Sequence, residues 1–293
     1  MTEGNSENTA ENANRIKKID LVMWTLNSAK TLPQTLKSID KVIPKEYVNQ
    51  KIVVDGHSTD GTQNIAKQFG WTVIDAVNVG IPYQANQALD NVKTEFFASF
   101  EHDIILDVHW FHAVLKYLES DPSVAVAQGV RLTTNPVFKK IEEVCIERNI
   151  PYRSIDNNLY RTEVIKKLGG FDSRFLISCD WDLQERVQKA GYKWISDKAV
   201  VSDHVRGSIR NITKHYYKLS RLDDPHNPPI LPVLLRFLYS PIRGLDISIK
   251  KRCPQVALVY PYWRFIHLKA ALTSTPKYRK YTHTTEQATL PAN

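Results

Sequence analysis

At 293 residues the chain is long enough for one large α/β domain plus an appendage, or for two small domains, and a hydrophobic share of 42% supports a real core. Its three cysteines (Cys145, Cys179 and Cys253) are odd in number, far apart and without metal-ligand spacing, which excludes a disulfide framework and fits a reducing compartment. The net charge of +8 lies in the tail: from Ile230 onward ten Lys and Arg face only Asp246 and Glu286, so the first 229 residues are neutral overall. A neutral body argues against a nucleic-acid surface, which interleaves basic residues through the recognition face.

The start, Met1 to Lys18, is polar and has no apolar run, so it reads as a disordered lead-in rather than a signal peptide or membrane span. Ile19 to Thr25 reads as a first buried strand, followed by a loop at Leu26-Asn27-Ser28. Thr31-Leu32-Pro33 opens a helix with Leu32, Leu36 and Ile39 on one face. Lys51 to Asp55 is a short β-branched strand. A dense turn follows at Asp55-Gly56-His57-Ser58-Thr59-Asp60-Gly61-Thr62, then a helix through Ile65, Ala66 and Phe69. A carboxylate at a strand end, before small and hydroxyl residues at a helix start, suits nucleotide contact; the same residues also suit a helix N-cap.

Trp71 to Asp75 reads as a third strand, and Gly80 to Asp90 as a helix carrying Tyr83, Gln84 and Asn86 near its start. Phe96 to Phe100 is apolar or small, a buried strand, and its polarity changes at once into Glu101-His102-Asp103. Two carboxylates at one strand end repel each other unless a cation lies between them, and hard divalent cations prefer oxygen ligands. Open α/β sheets bind ligands outside the carboxyl ends of their strands, so this point is expected to hold a metal ion and, through it, a diphosphate. Leu106 to Leu118 is amphipathic and helical, with Val108, Phe111, Leu115 and Leu118 on one face, and Ser123 to Gln128 is another strand. Arg131 to Tyr160 is irregular and mixed in charge, and is expected to form part of an acceptor surface. The alternation of strand and helix predicts a mostly parallel sheet with helices on both faces.

With these residues in view, the chain over about Ile19 to Ser208 resembles the family 2 glycosyltransferases of the GT-A fold. The run Val53 to Thr62 is similar to that family's strand-plus-SerThrAspGlyThr signature. Glu101-His102-Asp103 occupies the place of its DxD metal motif, with Glu in the first position. Gly169-Gly170-Phe171-Asp172 resembles the GlyGlyPheAsp segment before the acceptor site, and Cys179-Asp180-Trp181-Asp182-Leu183 falls where the family usually has Glu-Asp-x-Asp-Leu.

The resemblance implies an inverting transfer of a sugar from a nucleotide-diphosphate donor (UDP-, GDP- or dTDP-linked) to an acceptor hydroxyl, with Mn2+ or Mg2+ as cofactor. A glycan or lipid-linked acceptor is the expectation, the latter from the basic, amphipathic tail. The resemblance makes Asp180 the general base, and Glu101, Asp103 and His204 the metal ligands. Thr25, Asn27, Asp55, Ser58, Asp60, Gly80, Gln84 and His102 are the candidate nucleotide contacts. Asp182 reads as a first-turn residue stabilised by the helix dipole, and His204 follows a strand at Lys198 to Val201. Arg206 and Arg210 suit either a phosphate or solvent. The Glu101 and Cys179 departures permit a rival reading, a non-catalytic nucleotide-sugar binder. A nucleotidyltransferase on a similar sheet would carry a glycine-rich phosphate loop, which Thr25-Leu26-Asn27-Ser28 lacks.

The expected organisation is a lead-in over 1–18, a catalytic domain over 19–222 and a basic amphipathic helical tail over 223–293. In the tail Leu231, Leu234, Leu235 and Leu238 share one helical face, Pro241 and Gly244 interrupt it, and aromatics and cations mix from Val259 to Leu272. That composition suits an anionic membrane surface, so the expected location is cytoplasmic, peripheral to the inner face of the cell membrane.

Overall fold

A computed structural model describes residues 17–148, 152–221 and 226–274. Most of the lead-in over 1–18, the domain boundary after residue 222 and the end of the basic tail lie outside the described residues. The strands are β1 (Ile19–Thr25), β2 (Val48–Asp55), β3 (Thr72–Asp75), β4 (Phe96–Phe100), β5 (Ile104–Ile105), β6 (Val124–Thr133), β7 (Asn158–Arg161) and β8 (Lys193–His204). The helices up to β8 are α1 (Leu32–Val42), α2 (Thr62–Gln68), α3 (Ile81–Asp90), α4 (Trp110–Ser120), α5 (Pro136–Glu147), α6 (Thr162–Lys167) and α7 (Cys179–Lys189). After β8 come α8 (Ile209–Leu219), α9 (Ile230–Leu238), α10 (Ser240–Lys250) and α11 (Val256–Thr273). The chain divides into two compact units, one of Met1–Leu132, Pro151–Asp172 and Asp180–Val205, the other of Thr133–Ile150, Ser173–Cys179 and Arg206–Asn293.

The first unit is built on one eight-stranded sheet in the order β3-β2-β1-β4-β7-β6-β8-β5. β1 pairs in parallel with β2 and β4, and β2 with β3. All seven residues of β1 are buried, as a central parallel strand covered on both faces requires. One of them is charged: Asp20 accepts hydrogen bonds from Asn49 Nδ2 (2.7 Å), Gln50 Nε2 (2.9 Å) and the Lys93 backbone N–H (2.6 Å), which offset its burial. Leu32, Leu36 and Ile39 of α1 and Trp110, Phe111, Leu115 and Leu118 of α4 complete this core.

The α/β sheet with flanking helices is as expected, but it is mixed. β3-β2-β1-β4 are joined by parallel pairs, whereas β7 runs antiparallel to β4 and β6, and β5 antiparallel to β8. Two strands are longer than the sequence suggests, Val124–Thr133 and Lys193–His204. They approach closely at Gly129, where a Cβ would lie 2.8 Å from the Val200 carbonyl oxygen. The irregular reading of Arg131 to Tyr160 gives way to the end of β6, the helix α5 and most of β7. Asn135 starts α5 by accepting from Val137 N and Phe138 N, with Pro136 in the first turn. The helix expected from Leu106 begins only at Trp110, because Ile104 and Ile105 are taken into the sheet; Val108 is left 58% exposed.

In the second unit, Phe138, Ile141 and Val144 of α5 pack with Ile212 of α8, Ile247 of α10 and Val256 and Tyr260 of α11. The single face expected for Leu231, Leu234, Leu235 and Leu238 is divided. Val233, with Leu234 and Phe237, packs on Leu268 and Ala271 of α11, whereas Leu231, Leu235 and Leu238 stay exposed. The interruption expected at Pro241 is present, since α9 ends at Leu238 and the proline lies in the first turn of α10; Gly244 makes no break and lies buried within α10. Among the described residues, no helix is long and apolar enough to cross a membrane.

Candidate active site

The centre of the first unit is the acidic end of β4. Met23 of β1 lies level with both Val53 of β2 and Phe100 of β4, so Asp55 and Glu101 leave the sheet at the same, carboxyl edge. After a turn at His102 and Asp103 the chain re-enters the sheet as β5, whose Ile104 pairs with His204 of β8. That register brings Asp103 Oδ2 to 3.3 Å from His204 Nε2, and the Val205 N–H donates to the Asp103 carbonyl (2.8 Å). Glu101, Asp103 and His204 each offer one ligand atom, all within 4.8 Å of one another. Two carboxylates and an imidazole fit a hard or borderline divalent cation, and the imidazole favours manganese over magnesium. His102 turns away from this cluster: its Nδ1 lies 2.9 Å from Thr31 Oγ1, and its carbonyl accepts from Thr35 Oγ1 (2.8 Å).

Two further residues belong to this centre and were not singled out from sequence. Arg131, on β6, places its Nη1 2.9 Å from His204 Nε2 and its Nε 3.2 Å from Oδ2 of the fully buried Asp156. Burial opposes the charge on Arg131, yet Asp156, helped by Tyr152, Glu101 and Asp103, holds the guanidinium well above its ordinary range. Arg131 Nη1 also meets His204 Nδ1, so the guanidinium lies against both ring nitrogens of the imidazole. The available signal was one cationic residue in an otherwise apolar strand, Val124 to Thr133.

Asp180 lies in the first turn of α7 and accepts the Trp181 backbone N–H at 2.9 Å. Burial pushes its carboxyl up to about 7, against the lowering effects of the Trp181 hydrogen bond and the Arg131 charge; Asp156 acts with burial. Arg186 fixes the helix that carries it. The guanidinium grips Asp182 Oδ2 (2.6 and 2.8 Å) and reaches the carbonyls of Leu168 (2.7 Å) and Gly170 (2.8 Å). Asp182 is therefore a structural residue of the first turn. The Gly169-Gly170-Phe171 segment is held in turn by Asn86, which accepts from Phe171 N (2.7 Å) and donates to Phe171 O (2.6 Å). Gly170 has φ +68°, and a Cβ there would lie 2.4 Å from Asn86 Oδ1, so only glycine closes this clamp. Cys179, at the start of α7, is buried and forms no disulfide.

The loops after β1, β2 and β3 form one hydrogen-bonded network. Asp55 accepts from Thr25 Oγ1 (2.7 Å), Ser58 Oγ (2.7 Å), Ser58 N (2.7 Å) and Gln63 Nε2 (3.0 Å). Burial works against its charge, but those four donors lower its pKa below the usual carboxylate value. They also occupy the acceptor sites of its two oxygens, so Asp55 anchors the loop. Asp60 accepts from Ala29 N (3.0 Å) and from Thr62 N (3.1 Å), and Asn27 takes a bond from Thr59 N (2.9 Å) while donating its own N–H to Ser58 Oγ (2.7 Å). Gln84 donates to the carbonyls of Thr25 (3.1 Å) and Val54 (2.9 Å) and accepts from Gly80 N (3.1 Å). The predicted nucleotide residues thus come together, His102 being joined to the loop after β1 through Thr31, and much of their polar capacity goes into shaping the loops. In and beside these loops Leu26, Val77, Val79 and Tyr83 stay exposed.

A sequence model of the family described as glycosyl transferase family 2 matches residues 20–169, just over half of the chain. Among solved structures the chain is similar to a mannosyltransferase from Pyrobaculum calidifontis in complex with GDP-Man and Mn2+. The identity is 17% and the TM-score 0.57, over 89% of this chain and 77% of that one. It is also similar to glucosyl-3-phosphoglycerate synthase from Mycobacterium tuberculosis in complex with Mn2+, uridine diphosphate and glucosyl-3-phosphoglycerate. There the identity is 14% and the TM-score 0.51, over 75% of this chain and 84% of that one. A complex of the same synthase with Mg2+ and uridine diphosphate gives 15% identity and a TM-score of 0.54, over 72% and 79% of the two chains. At these identities the likeness is one of fold, the GT-A type expected from the sequence. No curated protein sequence matches the chain.

Proposed function

The chain belongs to glycosyl transferase family 2, and on that premise we propose that it transfers a sugar, with inversion, from a nucleotide-diphosphate donor to an acceptor hydroxyl. The observation that carries this reading is a set of buried and half-buried groups around Arg131. The metal-ligand set Glu101, Asp103 and His204 and the base candidate Asp180 are both under the influence of the Arg131 guanidinium.

An acceptor hydroxyl is a poor nucleophile at neutral pH, and Asp180, poised at about 7, is suited to take its proton as the new bond forms. The bond to the anomeric carbon forms from the acceptor oxygen while the bond to the phosphate oxygen breaks, and the nucleoside diphosphate leaves with the electron pair. Attack comes from the face opposite the leaving group, so an α-linked donor gives a β-linked product. A divalent cation bound by Glu101, Asp103 and His204 would supply Lewis-acid stabilisation of the leaving diphosphate. On the nucleotide side, Asp55, Asp60 and Gln84 hold the loops in shape, and Leu26, Val77, Val79 and Tyr83 offer an apolar seat for a base. The ligands named for the similar structures, GDP-Man with Mn2+ and uridine diphosphate with Mn2+ or Mg2+, support a nucleotide sugar and a divalent cation here. The acceptor in this reading is lipid-linked or membrane-proximal, at the inner face of the cell membrane.

The test is a panel of UDP-, GDP- and dTDP-sugars screened by thermal shift with and without manganese, followed by an NMR time course with the donor that binds. Manganese-dependent binding and a product of inverted anomeric configuration are expected. Retained configuration, or turnover undiminished in Asp180→Asn, would overturn the assignment.

A further inference from the structure

The helices that close the second unit carry an apolar face on the side opposite the one they pack. Over Ile230–Lys250 the outward residues of α9 and α10 recur at alternating spacings of four and three. They are Leu231, Leu235, Leu238, Ile242, Leu245 and Ile249, between 55% and 69% exposed. The inward residues of the same helices, Val233 and Ile247, are already buried against α11, so the stripe is no core face awaiting a partner within the unit. α11 returns antiparallel, its far end against α9 and its near end against α10, and exposes Leu258 (79%), Tyr262 (47%), Phe265 (45%) and Leu272 (62%). Phe265 touches Phe237 of α9 at 5.9 Å between ring centroids, which joins the two helices beside the stripe.

The charges carried by these helices are mostly positive, and Glu143 and Glu147 of α5 pair with Lys251 beside them. From Ile230 to Ser274 there are seven Lys and Arg and one acid, Asp246, and that acid is neutralised by Arg243 and Lys250 at 2.6 Å each. Arg236, Arg252 and Lys269 are exposed.

We propose that α9, α10 and α11 lie flat on an anionic phospholipid leaflet, with the Leu231-to-Ile249 stripe in the hydrocarbon boundary and Arg236, Arg252 and Lys269 at the phosphates. Charge selects this occupant. A second copy of the chain packed symmetrically on the stripe would set these cations against their own counterparts, whereas a leaflet supplies apolar depth and negative charge together. Width selects it too: exposed apolar residues on two antiparallel helices exceed the narrow seam of a coiled coil. This surface serves the membrane-proximal acceptor of the proposed reaction, but its test reads binding, so failure of the surface and failure of the chemistry are separable.

The experiment is flotation of the full chain with vesicles of phosphatidylcholine alone and with added phosphatidylglycerol, for the wild type, Leu235→Glu/Ile242→Glu and the milder Leu238→Gln. The wild type should float with the anionic vesicles at low salt, and about tenfold less with neutral ones. The double variant should stay at the bottom and Leu238→Gln should fall between, both with unchanged circular dichroism. Equal flotation of wild type and double variant, or no flotation of the wild type, overturns the proposal. So does a wild-type dimer in size-exclusion chromatography that the double variant converts to a monomer, since the stripe would then be a self-association surface.

Discussion

Asp103 Oδ2 and His204 Nε2 lie 3.3 Å apart because β5, only two residues long, pairs Ile104 with His204 and Ile105 with Asp203 at the edge of the sheet. The ligand set therefore spans two strands that are remote in sequence, and its geometry is as rigid as their backbone ladder. A cation bound there should tie the end of β8 to the end of β4, so that metal affinity and the stability of this edge rise together.

From that relationship, Asp103→Asn should abolish the manganese-induced rise in Tm and lower turnover by about 100-fold or more, the loss of several kcal/mol of charge stabilisation. His204→Asn should narrow the advantage of manganese over magnesium, since it removes the nitrogen ligand. Titration calorimetry with both metals checks this. Unchanged manganese affinity in both variants would remove the cluster from the metal site.

The pH profile tests Asp180. Its carboxyl is pushed up to about 7 by burial, so the carboxylate is present above that value and is lost as pH falls through it. A base must be deprotonated to act, so kcat/KM should fall about tenfold per pH unit below about 7. Asp180→Asn should lose about 10²–10⁴-fold in turnover and keep the donor-induced thermal shift. A flat profile from pH 8 down to 5.5 would contradict the assignment.

The partly buried Arg131 pairs with the fully buried Asp156, and removing the cation leaves an uncompensated buried charge. Arg131→Met should destabilise the chain by about 3–5 kcal/mol, and Arg131→Met/Asp156→Leu should recover a large part of that. Urea unfolding of the single and double variants measures both. Because Arg131 also opposes the upward shift of Asp180, any turnover left in the single variant should have its acidic limb moved to higher pH.

His267 makes the second unit sensitive to acid. Burial lowers its pKa from 6.5 to about 4, aided by the charges of Arg264 and Arg236 and opposed by its contact with the Trp263 carbonyl. Between those values the unfolded chain binds a proton that the folded chain does not, so stability falls as pH drops from about 6.5 towards 4. The loss reaches up to about 3 kcal/mol. His267→Leu should flatten this dependence in urea titrations between about pH 7.5 and 4.5. An equally steep dependence in the variant would place the acid sensitivity elsewhere.

Short-range features were legible in the residues alone. Ile19–Thr25 and Phe96–Phe100 declare buried strands by unbroken apolarity, and the Gly56-to-Thr62 turn and the Glu101-His102-Asp103 step announce ligand loops by a change in polarity. The helix α5 went unread because a capping Asn135-Pro136 start lay inside a stretch judged by its mixed charge.

Chain-local chemistry by itself determined which strand ends carry carboxylates, which loop holds the Ser-Thr-Asp-Gly-Thr run and that the tail is basic and amphipathic. Tertiary structure alone decided which of those groups meet. Antiparallel pairing of β5 with β8 brought His204 to Asp103, and β6 carried Arg131 to His204 and Asp156. The hydrogen bonds of Thr25, Ser58 and Gln63 turned Asp55 from a free acceptor into a loop anchor. The physical reason is that strand register and burial are set by contacts between segments distant in the chain, and no local pattern of residue types encodes those partners.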